Sequence, residues 1–582
     1  MRAASALGVV IVVLVASHMP MLGWAGETGD PDQAILQEVE ERARELRQSL
    51  EPAAVPSPPQ SPRQSGVTRT EVQQQMQEQM QREMRQRMQP LVESEMPLQN
   101  EPGAPPEDRP QATPQEIRQE RQQRMQQEMQ QRMQGSYRSE IESRVSGVPP
   151  AVLARQSSEP VEVPALGEAV AAALAAAAGE AQSLLAPERA WHGRVIRVPE
   201  EHRHIQAAVD AARPGDTVLV RPGTYREQLE MRSGVRLASD PSDRGDELVA
   251  VEGAMLQLPR RALRTIIDGT GFAASEHGML DFAPGAGRDT VVDGFTIQSL
   301  PVQNHHLPGH AHGVNIRGAS PVITNCLVRN MGSTGIGSHV IYRDQEAPMP
   351  ERDFRQANIR QATAAVIYHN IVHGNLGLGI GCNHFAAPFI LGNEVFGNND
   401  ESLGERTSPG IGIKHGAAPR IVGNIVHDNA GGGILSSAGE AQGRHPVDQA
   451  AHPTVERNVV FRNGSRRPGI GGHAVGSLSA PMTVAGNLLF EASATGIALE
   501  SGTVGVVEDN LVAGSREPAI VVSGSTALAL NRNRITGVAD SPGILIFRQA
   551  TVQEMAGNAV DRTTFGPRFR VEAGSTVVAP GS

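Results

Sequence analysis

Asparagine returns along the second half of the chain at Asn325, Asn370, Asn393, Asn424, Asn458, Asn487, Asn510, Asn533 and Asn558. The tightest spacing is 23 residues, between Asn370 and Asn393, Asn487 and Asn510, and Asn510 and Asn533. A second Asn follows five residues later at Asn330, Asn375, Asn398, Asn429 and Asn463. A period of this size marks a repeat architecture, in which each unit buries its apolar face only against its neighbours. Stacked amides can hydrogen-bond to their copies one strand spacing away, about 4.8 Å. Asn also tolerates the left-handed backbone of sharp corners. The ladder therefore reads as structural, and it sets a register: three short strands per coil, one ending at the first Asn, one near the second, and one reading Gly-Ile-Gly-x. Composition agrees, since aromatics are 3% of residues against 61 Gly, which suits a narrow core of small layers.

In that register the third strand aligns Gly313-Val314-Asn315-Ile316-Arg317, Gly335-Ile336-Gly337-Ser338-His339, Gly379-Ile380-Gly381-Cys382-Asn383 and Gly410-Ile411-Gly412-Ile413-Lys414. Gly433 to Ser437, Gly469 to His473 and Gly496 to Glu500 continue the series. Strand alternation sends the second and fourth residues inward and the third and fifth outward. The third is mostly Gly, which predicts a surface bare enough for a ligand to lie on backbone. The fifth forms a polar column: Arg317, His339, Asn383, Lys414, Ser437, His473 and Glu500. Insertions at Gln298 to His312, Val340 to Gln361, Asp400 to Pro409 and Ser437 to His452 should wall this sheet into a groove. Lys414 is the only lysine in the chain, and 13 of the 18 His lie between His305 and His473. His384 and His415 follow the column directly, and His305, His306, His310 and His312 occupy a loop beside it. His373 and His427 stand where other coils have Phe396, Phe461 and Phe490, so they read as packed residues.

Ahead of the repeats, Ile205 to Ala212 is a short amphipathic helix, followed by Pro214-Gly215, the strand Thr217 to Val220 and Pro222-Gly223-Thr224-Tyr225. This resembles the opening segment of the pectin-lyase-like right-handed parallel β-helix superfamily, where a helix covers the first coil's exposed core layer and unpaired edge. The resemblance spans roughly residues 195 to 575. It implies an all-β solenoid over 191–582 with an N-terminal capping helix, and enzymes of this kind cleave or epimerise uronic-acid polymers. Such chemistry needs a cation for the sugar carboxylate, a base for the C5 proton and an acid for the leaving oxygen. Arg317 suits the first role, Lys414 the second and His473 or His339 the third. Asn315, Asn383, His384, His415, Ser437 and Glu500 are candidate substrate contacts. The sequence departs from the known enzymes: it shows no acidic cluster like a pectate lyase calcium site, no polygalacturonase Asp-Asp pair and no Asp-Pro-His motif. No cofactor and no metal-ligand set is expected. A non-catalytic envelope protein binding glycan or a partner is the first alternative. The second is periplasmic metal handling, from the His-rich loop and a looser resemblance to β-helix proteins that help mature the copper site of nitrous oxide reductase.

Residues 1–25 read as an export signal, with Arg2, the apolar Leu7 to Ala16 and Gly23-Trp24-Ala25. This places the protein in a secreted or periplasmic setting, with a membrane partner only through an uncleaved signal. Residues 26–190 read as a low-complexity stalk: Met76, Met80, Met84 and Met88, then Met125, Met129 and Met133, form helical stripes between Pro-rich stretches. Those helices offer self-association, and their thioethers are also a Cu(I)-type donor set. An Ala-rich helix from Gly167 to Leu185 leads into the repeats, and Glu168 and Glu180 make it a poor membrane span. The net charge of −11 and the lack of a long basic run argue against nucleic acid and leave a polysaccharide or envelope glycan as the expected partner. Cys326 and Cys382 fall in different strands and are expected as buried free thiols.

Overall fold

A computed structural model describes residues 146–185, 191–242, 245–272, 277–299, 312–346, 353, 355–399, 408–438, 451–464, 467–474, 480–539, 541–561, 563 and 567–579. The export signal, the Met stripes, the Pro-rich stretches and the loop residues His305, His306 and His310 lie outside them.

The chain winds through three parallel sheets in turn. Sheet 1 has fifteen strands, from Val195–Val198 to Thr576–Val577; sheets 2 and 3 have twelve each, starting at Gly223–Tyr225 and Leu229–Met231. Among the described residues twelve successive coils contribute to all three sheets, the extra strands of sheet 1 lying toward its two ends, and a continuous apolar core runs down the axis. Helix α1 (Pro150–Leu153) and helix α2 (Leu166–Leu184) precede the coils, and helix α3 (Ile205–Ala211) buries Ile205, Ala208 and Val209 over the first one, as expected.

The asparagine ladder is continuous from Asn370 to Asn558. Asn458 is typical: its Nδ2 donates to the Oδ1 of Asn487 (2.9 Å), and its Oδ1 accepts from the Nδ2 of Asn424 (2.9 Å). One expectation is corrected at the start. Asn325 is the corner residue itself (φ 55°), and Cys326 occupies the ladder position, its N–H donating to the Asn370 Oδ1. In later coils the left-handed residue is likewise the one before the ladder Asn, as at Gly392, Arg457 and Arg532. Asn330 and Met331 repeat the offset on the second ladder.

The second correction concerns 146–185, which was expected to belong to the stalk. This segment packs on the solenoid. Val148, Val152 and Leu153 of the α1 region enter the core, and Gln156 accepts from the N–H and Nδ2 of Asn558, ending the ladder 402 residues away in sequence. Ser157 bridges Ala559 as one further rung. Helix α2 then lies along the outer face of sheets 1 and 2, burying Ala169, Ala173, Ala177 and Ala181 against Val322, Val366, Leu391, Ile425 and Val459. Its alanines are needed for closeness: a Cβ on Gly423 would meet the Ala173 carbonyl oxygen. Glu180, which argued against a membrane span, forms a two-pronged ion pair with Arg420. Among the described residues no helix is long and apolar enough to cross a membrane.

His373 and His427 are packed, but on the outer side of sheet 2. They alternate with Phe396 and Phe461 in a pile of parallel rings 4.6–4.9 Å apart. Buried Glu394 beside them accepts from His427 Nε2 (2.9 Å) and from the backbone N–H groups of Met255 and Leu256. Both cysteines are free and buried; burial pushes the Cys326 thiol up to about 12 and the Cys382 thiol higher still.

Candidate functional site

Sheet 3 carries the column in the register the sequence implies. Arg317 pairs with His339, Ser338 with Cys382, Cys382 with Ile413, and Ile413 with Ser436. Ser437 pairs with His473, and His473 with Glu500. The inward positions Val314, Ile336, Ile380, Ile411, Ile434, Ile470 and Ile497 are fully buried. Lys414 and His473 are exposed, and Arg317, His339, Asn383, Ser437 and Glu500 are half-buried.

The glycines beside the column are not bare. A Cβ on Gly412 would lie 2.6 Å from the Leu378 Cδ2, and one on Gly381 3.0 Å from its Cδ1. Gly471 is covered in the same way by Pro468 and Leu435. Leu378 and Pro468 belong to the turns that precede these strands, so these glycines admit apolar side chains from the protein itself. Gly337 differs, because what lies over it is imidazole: its Cβ would sit 3.3 Å from the His339 Nε2 and 3.7 Å from the His312 Nδ1.

Those two rings begin a row of four. His312 and His339 are 6.2 Å apart, His339 and His384 6.2 Å, and His384 and His415 5.0 Å and stacked. His384 and His415 hold left-handed corners (φ 52° and 54°), which swings their rings back toward the column. Tyr342 meets His384 edge-on at 6.0 Å. It comes from the Val340 to Gln361 insertion, anchored where Ile341–Tyr342 pairs with Ile359–Gln361, and sequence reasoning did not single it out. Burial, then the neighbouring imidazoles and Arg317, hold the His339 basicity well below the usual histidine range, so at neutral pH this ring is uncharged. Burial raises the Tyr342 phenol, which keeps its proton.

The remaining candidates separate from this row. Asn315 is buried and donates to Asp281 Oδ1 (2.8 Å), so it props its neighbour strand. His473 stands five rungs from Arg317, roughly 24 Å at about 4.8 Å per rung. One reacting bond cannot use both. A shallow cleft of about 570 Å³ at the second-Asn corner, lined by Asn399, Asp428, Arg462 and Ser493 among others, lies away from the column. Among the described residues no three His, Cys, Asp or Glu side chains are placed to hold a metal ion.

Three sheets wound in sequence order over one core define the class: the protein is a right-handed parallel β-helix. Residues 288–445 match the family described as right handed beta helix region, and residues 442–578 match the family described as periplasmic copper-binding protein (NosD). Among solved structures, the chain is similar to a mannuronan C-5 epimerase A-module from Azotobacter vinelandii (16% identity, 66% of this chain and 100% of that one, TM-score 0.43). It is also similar to the pectate lyase Pel9A (13%, 67% and 81%, TM-score 0.34) and to a family 28 exopolygalacturonase from Yersinia enterocolitica (12%, 66% and 79%, TM-score 0.34). Overlaps this loose assign no activity. No curated protein matches the chain.

Proposed function

We propose that the protein binds an acidic polysaccharide along sheet 3 and processes it by removing the proton at C5 of a uronate, as a lyase or an epimerase. The observation that carries this reading is the place of His339 over Gly337, between Arg317 on the preceding coil and Lys414 two coils on, with burial holding its basicity below the usual histidine range. A neutral imidazole at that point can accept a proton, while the flanking cations offset the carboxylate charge that spreads into the ring as the proton leaves. This gives the base role to His339 rather than to Lys414, whose exposed ammonium serves as a second counter-charge. Asn383, His384 and His415 supply polar contacts on the adjacent rungs. An extracellular or periplasmic setting fits this reading, and the matched copper-binding family is described as periplasmic.

The test is incubation of the protein with a panel of uronate polymers in deuterated water. Growth of unsaturated-sugar absorbance reports elimination, and deuterium at C5 without it reports epimerisation. The expected result is one of these signals, lost in His339→Ala while the melting curve is kept. Wild-type protein that exchanges no C5 proton on any uronate would refute the reading. A second reading, metal handling, draws on the match over 442–578 to a family described as copper-binding. Metal analysis of protein purified without chelator tests it. Binding with neither turnover nor metal would leave a non-catalytic envelope protein.

A further inference from the structure

We propose that sheet 3 carries a second chemical centre, separate from the histidine row: a Ser437–His473–Glu500 acyl-transfer site with Lys414 beside it. The three side chains stand on consecutive rungs of the same column, Ser437 opposite His473 and His473 opposite Glu500. Their neighbours Ser436 and Leu499 point into the core, so the three emerge together on the outer face. His473 is exposed and the other two are half-buried.

The order along the row is the argument. Nucleophilic catalysis by serine needs an imidazole within reach of the hydroxyl, and a carboxylate on the far side of that imidazole to fix its tautomer and steady its charge. Histidine in the middle, with serine and glutamate one rung to either side, meets that need. Parallel strands hold the Cα atoms about 4.8 Å apart, so backbones need not move and side-chain rotation alone can bring the groups together. Among the described residues no hydrogen bond joins the three, as is common before substrate is bound. Lys414 follows Ile413, whose partner is Ser436, and therefore takes the rung on the other side of Ser437. Its long side chain can carry an ammonium to the position where an oxyanion would form. The row thus reads cation, nucleophile, base, orienting acid.

The chemistry this arrangement supports is hydrolysis of a carboxylic ester. The Ser437 Oγ bonds to the acyl carbon as its proton passes to His473, and the C–O bond to the alcohol breaks as His473 returns that proton to the departing oxygen. Water then adds to the acyl group with His473 again taking the proton. The bond to Ser437 breaks, the proton returns to Oγ, and the carboxylic acid leaves. Water is the only co-reactant, and nothing is oxidised. On this sheet the natural ester would be an O-acylated sugar. That sugar component rests on the glycan reading above; the ester chemistry does not.

The test uses the full chain with two sugar-free probes, p-nitrophenyl acetate and a fluorophosphonate. Expected are hydrolysis above the buffer rate and a single fluorophosphonate adduct mapping to Ser437. Ser437→Ala should remove the adduct, and both Ser437→Ala and His473→Ala should lower kcat by roughly 10³-fold or more. Glu500 acts through His473 as a positioning residue. Glu500→Gln should therefore lower kcat while KM stays near its wild-type value, and Glu500→Asp should restore part of the rate. Thermal melts check that each variant is folded, and the inward-facing Ser436→Ala should still be labelled at Ser437. Wild-type protein unlabelled at Ser437, or labelled equally fast in His473→Ala, would overturn the proposal. Neither probe is a uronate, so failure of the lyase or epimerase reading shows in a different assay.

Discussion

Asn458 gives the sharpest test of what holds the coils in register. Its side chain is fully buried. The Nδ2 donates to the carbonyls of Ile421 (3.0 Å) and Glu456 (3.0 Å) and to the Asn487 Oδ1 (2.9 Å), while the Oδ1 accepts from the N–H and Nδ2 of Asn424 (both 2.9 Å). In Asn458→Ala the Asn424 backbone N–H loses its acceptor, whereas the Asn424 Nδ2 keeps the Ile390 carbonyl at 2.9 Å. One orphaned buried donor costs about 1–3 kcal/mol, and the lost packing brings the total to about 2–4 kcal/mol. Asn458→Asp is nearly isosteric but should be worse at neutral pH. It sets a carboxylate oxygen against three acceptors in a fully buried site, which is an uncompensated buried charge. The two variants also differ in pH dependence. The introduced aspartate would have its folded-state pKa raised above its unfolded value of about 3.9, because only its protonated form can donate to those oxygens. Its stability should be highest below about pH 4 and fall as pH rises toward the folded value, while Asn458→Ala shows no such component. Urea titrations followed by circular dichroism at acid and neutral pH read both effects. An aspartate variant as stable as the alanine one at pH 7, or one without pH dependence, would refute the ladder as the source of register.

Other outcomes follow from the same geometry. A Cβ on Gly433 would lie 2.3 Å from the Gly469 carbonyl oxygen, a backbone atom that cannot swing away, so Gly433→Ala should cost about 1–3 kcal/mol, measurable as a lowered urea midpoint. Cys326 and Cys382 should resist a thiol reagent at pH 8 until denaturant is added, since burial keeps both protonated far above their usual range; rapid labelling of native protein would show the coils to be open there. A chain starting at residue 191 should lose the Gln156 cap and expose the apolar faces under α1 and α2, giving a lower melting temperature and association through the uncovered end. Gel filtration and melting curves identical to the full chain would refute the role assigned to 146–185.

The coil was legible because its signal is local and repeated: the 23-residue period and the Gly-Ile-Gly-x strands carry enough copies to average out insertions. The register failed by one residue at Asn325, where a single coil puts Cys in the ladder and Asn at the corner, both of which suit Asn. The strap was not legible. Gln156 meets Asn558 across 402 residues, and nothing in an Ala-rich helix says it will lie on Gly392 and Gly423 until the coils bring those glycines to one face. Tyr342 was hidden for a related reason, since an insertion carries no repeat to place it.

The column itself shows how a correct register can still suggest the wrong site. Seven polar residues on one face invite a single active centre, and the sequence reading distributed one reaction over Arg317, Lys414 and either His473 or His339. Rung spacing excludes the version with His473, because a sugar ring spans about one rung while the column spans six. What survives is a division by neighbour. His339 lies with other imidazoles around Gly337, which suits proton abstraction beside a carboxylate. Ser437, His473 and Glu500 follow one another on consecutive rungs with Lys414 before them, which suits acyl transfer. A solenoid repeats its backbone but not its side chains, so chemistry on it is decided by which two or three adjacent rungs agree.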